Sequence, residues 1–157
     1  MSSERRGRAD PRPPLRELSY GGVLVRGEVQ AGTAEMAAIV PRGKAALALP
    51  KGGANEGESG AQTAAREVRE ETGLTGRLRQ ELGDVTYWYR RSGRSIRKTV
   101  RFYLFDYVSG STDDHDHEVT EVRWIALQEA AARLTYPGER EMAEKALRTL
   151  ADQRSDR

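Results

Sequence analysis

The stretch Gly52–Leu74, GGANEGESGAQTAAREVREETGL, decides how this chain is read. It divides into a glycine-rich loop, Gly52 to Gly60, and a helix over 60–72. Ser59 suits the N-cap, and Gln62 three residues later completes a capping-box pattern. Gly73 stands where a left-handed C-terminal residue is wanted, and Leu74 supplies the apolar contact beyond it. On a helical wheel Ala61, Ala64, Ala65, Val68 and Thr72 form a stripe of small residues that lets the helix lie close to a sheet. Glu67, Glu70 and Glu71, spaced i, i+3, i+4, share a different face.

Three like charges on one face repel, and Glu58 in the preceding loop adds a fourth. A cation would offset that repulsion. Carboxylate oxygens without His or Cys suit Mg²⁺, with Mn²⁺ as the alternative. The competing reading is a solvated acidic face in which Arg66 and Glu70 form an ordinary i,i+4 pair.

The whole segment is more specific than its helix. Gly52, Glu58, then Arg66-Glu67-Val68, Glu70-Glu71 and Gly73-Leu74 fit the Nudix box at every specified position, nine in all, seven of them set to one amino acid. By ordinary residue frequencies such a match arises by chance in fewer than about one in a million start positions. The chain therefore resembles the Nudix hydrolase superfamily. The resemblance implies an α/β/α sandwich with a mixed β-sheet. It also implies hydrolysis of a phosphoanhydride bond in a nucleoside diphosphate linked to another group. Glu67, Glu70 and Glu71 would then be metal ligands, Glu58 would support the metal, and the Lys51 carbonyl would add a ligand. Arg66 would orient the glutamates, and Glu67 or Glu118 would be the general base.

The flanks are similar to the diadenosine polyphosphate hydrolase branch and to bacterial enzymes of MutT type. They read Leu-Pro-Lys-Gly over 49–52, Lys-Thr-Val-Arg-Phe-Tyr-Leu over 98–104, His117-Glu118, Val122-Arg123-Trp124, and Tyr136. In that branch the positions of Lys51 and Lys98 contact phosphates, that of Glu118 is a further metal or base residue, and that of Tyr136 stacks on adenine. A second stacking ring belongs near Tyr87–Tyr89, and Tyr89 is taken as the candidate. Gly53 departs from the branch, which often has His there. Six basic residues and no acidic one lie between Arg90 and Arg101, countercharge of the kind a polyphosphate needs. His115 and His117 read as loop residues, and Trp88 and Trp124 as core.

Around this centre the remaining patterns are those of an α+β fold, a mixed sheet between helices. Tyr20–Val25 and Met36–Val40 read as strands, Ala45–Leu49 as a third apolar run, and Thr86–Arg91 with Ser95–Tyr107 as a hairpin around Ser92–Gly93–Arg94. Val100, Phe102 and Leu104 alternate with Arg101, Tyr103 and Phe105. An acidic loop over 113–118 leads to a strand at Glu121–Ile125 and a short helix at Leu127–Leu134. A last helix opens at Pro137, with Met142, Ala146, Leu147 and Leu150 on one face.

The 157 residues suit one domain, expected over 18–150. Residues 1–17 hold five arginines and three prolines and are expected to be a disordered basic tail, with 151–157 a flexible C-terminal tail. There is no cysteine, hence no disulfide framework or thiolate chemistry. No apolar run reaches membrane-spanning length, and the basic start lacks the apolar core of a secretory signal, so a cytoplasmic protein is expected. The net charge of +2 is too small to imply nucleic-acid binding by itself. A small nucleotide is the expected partner, with RNA 5′ ends kept open by the basic tail, in a monomer or homodimer. The expected substrate is a dinucleoside polyphosphate such as diadenosine tetraphosphate. The alternatives are an oxidised nucleoside triphosphate, ADP-ribose, or a non-catalytic nucleotide- or RNA-binding role.

Overall fold

Alternation along one long strand sets the layers of the molecule. Val100, Phe102 and Leu104 point into one apolar cluster, while Tyr103 and Phe105 point into another on the opposite side of the same sheet. The computed structural model describes residues 10–153. Within them run β1 (Leu15–Arg26), β2 (Glu35–Pro41), β3 (Lys51–Gly52), α1 (Gly60–Thr72), β4 (Leu74–Arg91) and β5 (Arg94–Gly110). A 3₁₀ turn (Thr112–Asp114), β6 (Val119–Ala126), α2 (Leu127–Arg133) and α3 (Pro137–Gln153) follow. The sheet order is β4-β5-β1-β2-β6, with the two-residue β3 also paired to β1. β1 and β5 are parallel and the other pairs antiparallel, so the sheet is mixed.

One face carries α1, whose Ala64 and Val68 meet Leu24, Ala37, Leu74 and Phe105. The other carries α2 and α3, whose Leu127, Ala130, Met142, Ala143 and Ala146 meet Val23, Met36, Phe102, Leu104 and Ile125. The result is the expected α/β/α sandwich. Leu147 and Leu150 lie partly buried against this second cluster. No helix among the described residues is long and apolar enough to cross a membrane.

Helix α1 has the ends expected of it. The Ser59 hydroxyl accepts from Gln62 N–H at 3.1 Å and the Gln62 side chain accepts from Ser59 N–H at 2.9 Å. Gly73 is left-handed at φ 76°, and its N–H closes on the Arg69 carbonyl. The β4–β5 turn also falls where expected. Ser92 and Gly93 both take positive φ, 51° and 76°, between paired Arg91 and Arg94, as a two-residue hairpin requires.

Several expectations need correction. β1 enters the sheet at Leu15, pairing with Ile96, so ordered structure begins inside the stretch read as a tail. At the other end α3 continues to Gln153. Residues 1–9 and 154–157 lie outside the described residues. β4 starts one residue after α1 and is 18 residues long, where the sequence pattern marks only Thr86–Arg91. Register shifts at Thr75/Gly76, Leu78/Gln80 and Glu81/Gly83 break its two-residue period, so the alternation that marks a strand is absent there. Ala45–Leu49 contributes a single bridge, Ala48 to Ile39, rather than a strand. Trp88 is 59% exposed on edge strand β4 rather than in the core. Trp124 is half-buried, edge-on to Tyr107 with the Arg26 guanidinium 3.8 Å from its ring centre.

Ser59→Ala removes one end of the capping box and should cost about 1 kcal/mol, read as a lower urea midpoint with an unchanged slope.

Candidate functional site

The acidic face of α1 is organised by one guanidinium. Arg66 donates through Nε and Nη2 to the two oxygens of Glu58 at 2.8 and 3.0 Å. Through Nη1 it reaches Glu67 at 3.0 Å and Glu70 at 3.2 Å, and Nη2 also binds the Gly53 carbonyl at 2.9 Å. Three carboxylates that would repel are thus spread around one cation and tied to the glycine loop. Arg66 holds the Glu58 carboxyl well below the ordinary range.

Glu71 has no such partner. It is 6% exposed, and its Oε1 accepts the Lys51 backbone N–H at 3.0 Å. Burial pushes its pKa from an ordinary 4.5 up to about 8, the charge of Glu67 adding to the effect. Burial also raises Glu67, against the pull of Arg66. Gly52 is required here by space, because a Cβ would lie 2.3 Å from the Glu67 carboxyl.

The acidic loop closes the far side. Asp116 N–H bonds the Glu70 carbonyl at 2.7 Å, and its charge is felt at Glu71. Glu118 is exposed; its N–H is capped by Asp116 Oδ1 at 3.1 Å, and its charge is felt at Glu67. In the sequence Asp116 is one of several acids in a single loop, with nothing local to distinguish it. His115 Nδ1 is engaged with the Asp116 carbonyl oxygen and His117 is exposed, as expected for loop residues.

Beside this face opens a cleft of about 720 Å³, lined among others by Lys44, Lys51, Tyr87, Lys98, Tyr136 and Glu139. Lys51, Lys98 and Tyr136, far apart in sequence, share it. Lys51 Nζ is 5.8 Å from the Tyr136 ring centre and 3.0 Å from Glu139 Oε2. Burial works to lower the Lys51 pKa, but the Glu139 charge and hydrogen bond prevail and raise it. Burial, with the Lys51 charge, lowers that of Lys98. Glu139 is 4% exposed, and its other oxygen takes the Leu49 N–H at 2.7 Å. In the sequence it reads only as a favourable acid in the first turn of a helix, and nothing there points across the molecule to Lys51.

The aromatic candidate shifts by two residues. Tyr87 lines the cleft, whereas the Tyr89 hydroxyl is committed to Glu17. Of the six basic residues from Arg90 to Arg101, only Lys98 lines the cleft; Arg91 pairs with Glu17 and Arg101 with Glu81 and Asp84.

The Nudix domain matches residues 19–146, which span the box, the sheet and both flanking layers. The chain belongs to the Nudix family. A candidate mutator protein of Mycobacterium tuberculosis, MutT4, is 40% identical over 148 residues, 92% of this chain and 59% of that protein. An 8-oxo-(d)GTP phosphatase of Mycolicibacterium smegmatis is 33% identical over 104 residues, 66% of this chain and 31% of that protein. This chain therefore spans under two thirds of either relative. Among solved structures, a Nudix hydrolase from Nitrosomonas europaea superposes with a TM-score of 0.66 at 21% identity, covering 88% of this chain and 91% of that one. A C. elegans Ap4A hydrolase complex gives 0.66 at 21% identity over 87% and 98%. These likenesses concern the fold.

Nudix enzymes generally use divalent metal ions, and the donor set here suits one. Among the described residues no three acidic, His or Cys side chains are gathered as a cage. Mg²⁺ does not need one, because it is commonly held by one or two carboxylates with water and substrate phosphate. The buried Glu71, with one hydrogen bond and two acidic neighbours, resists ionisation, and a cation beside it would stabilise its charged form.

That charge has a measurable cost. Between about pH 4.5 and pH 8 the unfolded Glu71 is ionised and the folded one is not, so the folded state binds the extra proton and stability falls as pH rises. Glu71→Gln should therefore stabilise the metal-free protein at pH 8 by a few kcal/mol, read by thermal unfolding in EDTA. The gain should vanish near pH 4; equal stability of the two proteins at pH 8 would contradict the burial argument.

Proposed function

We propose that this protein hydrolyses a phosphoanhydride bond in a nucleoside diphosphate linked to a further group, using Mg²⁺ or Mn²⁺. The observation that carries this reading is the junction of an acidic metal-suited face with a cleft holding three lysines and two tyrosines. Glu67, Glu70 and Glu71 would hold the metal, with Glu58, Glu118 and the Lys51 carbonyl in support. Held there, a divalent cation would supply charge to offset phosphate oxygens and to make a water more nucleophilic. Arg66 keeps the carboxylates apart and aimed. Glu67, at the centre of the acidic face, and Glu118, in the loop beside it, are the two candidate bases. Lys51 and Lys98 pair with phosphates, while Tyr136 and Tyr87 offer faces for a base.

The first candidate substrate is a dinucleoside polyphosphate such as diadenosine tetraphosphate, supported by Lys51, Lys98 and Tyr136 lying in one cleft. The second is an oxidised nucleoside triphosphate, favoured by the likeness to the Mycolicibacterium smegmatis 8-oxo-(d)GTP phosphatase. Both require the same metal face and differ in what the cleft must hold. The protein is taken to work in the cytoplasm on free nucleotides.

Chromatographic analysis with Mg²⁺ and either diadenosine tetraphosphate or 8-oxo-dGTP separates them. ATP plus AMP from the first supports the dinucleotide reading, and 8-oxo-dGMP alone transfers the assignment to the second. Glu70→Gln should lower turnover on the true substrate by orders of magnitude with little change in thermal midpoint; full activity would remove the metal assignment. Lys98→Ala should impair long polyphosphates more than short ones, and an equal loss would argue against a phosphate contact.

A further inference from the structure

The β4–β5 hairpin has a second face, turned away from Tyr87 and Lys98, that meets the cleft only at its Asp84–Thr86 margin. Pairing places Trp88 opposite Arg97 and Thr86 opposite Thr99 on neighbouring strands, and β1 sets Arg16 beside Arg97 and Leu18 beside Thr99. The hydroxyls of Thr86 and Thr99 lie 3.0 Å apart, so both side chains stand on this face. It is the α1 side of the sheet, since Tyr20 and Tyr103, farther along the same strands, join the cluster that includes Ala64 and Val68. The helix stops short of Arg16, Leu18, Trp88 and Arg97. Trp88 is 59% and Leu18 49% exposed. Arg90, two residues beyond Trp88, belongs to the same face by alternation.

The charge here is uncompensated. Arg16, Arg90 and Arg97 make no ion pair with any described residue. The nearest acids along β4, Glu81 and Asp84, are both held by Arg101. One open face therefore carries three arginines without an ion pair, and they outweigh the single negative charge left where Glu81 and Asp84 share Arg101. An exposed indole among arginines on a sheet surface matches an occupant that presents flat rings and regularly spaced negative charges. Single-stranded nucleic acid has both, and it binds protein through base stacking on aromatic rings and phosphate contacts to arginine. A phospholipid headgroup layer would supply the charge but give the ring no stacking partner.

We propose that this face, centred on Trp88 and Arg97, docks single-stranded nucleic acid, independently of the nucleotide chemistry in the cleft. The test uses the full chain and a short 3′-fluorescein-labelled oligouridylate with a 5′-hydroxyl end, which offers the cleft no terminal phosphate. Binding is followed by anisotropy at low salt in EDTA, with vesicles containing phosphatidylserine assayed in parallel. Trp88→Ala should weaken oligonucleotide binding about tenfold. Arg97→Glu should weaken it further and flatten its salt dependence. Both variants should keep the parent's thermal midpoint and its rate of nucleotide hydrolysis. The proposal is overturned if the oligonucleotide fails to bind, or binds both variants as it binds the parent. It is equally overturned if the vesicles bind in a Trp88-dependent way and the oligonucleotide does not.

Discussion

The arrangement of this molecule turns on how Arg66 distributes its donors. Four glutamates within fourteen residues, three of them on one helical turn, are electrostatically unfavourable unless something stands between them. The guanidinium reaches Glu58, Glu67 and Glu70 from one centre and uses a remaining donor on the Gly53 carbonyl. That last bond pins the glycine loop to the helix. A point charge on a lysine could not serve four acceptors in fixed directions, because it lacks the planar fork.

The left-over carboxylate shapes the rest of the site. Glu71 faces inward, capped by the Lys51 N–H, and Lys51–Gly52 is held in place as β3 by pairing with Tyr20 and Gly21 of β1. From the opposite layer, Glu139 of α3 grips the Leu49 N–H and the Lys51 ammonium. The two helical layers of the sandwich thus meet at one short segment. Its backbone addresses the acidic face and its side chain addresses the cleft. Moving either layer would disturb both halves of the site, which is why the geometry sits on the sheet rather than on a free loop.

Strand alternation separates two surfaces that in sequence are interleaved. Tyr87 and Lys98 line the cleft, while their chain neighbours Trp88, Arg97 and Thr99 stand on the reverse face. A basic run from Arg90 to Arg101 therefore has no single destination. Lys98 faces the cleft, Arg91 and Arg101 are neutralised by acids, and Arg90 and Arg97 remain unpaired on the other side.

Local chemistry made α1, its caps, the Ser92–Gly93 turn and the Arg66–glutamate grouping legible, because each depends on residues a few positions apart. The same locality explains the failures. β4 was hidden because bulges remove its period, the entry of β1 at Leu15 because its partner lies in β5, and the exposure of Trp88 because edge position is a property of sheet order. By itself the sequence determined an acidic helix behind a glycine loop, membership of a fold that carries it, and the residue types available to bind phosphate. Only the tertiary structure decided that Glu71 is buried against the Lys51 N–H, that Glu139 reaches Lys51, and that Tyr87 rather than Tyr89 meets the cleft. Those outcomes depend on desolvation and on contacts between segments as many as 90 residues apart, which no local pattern encodes.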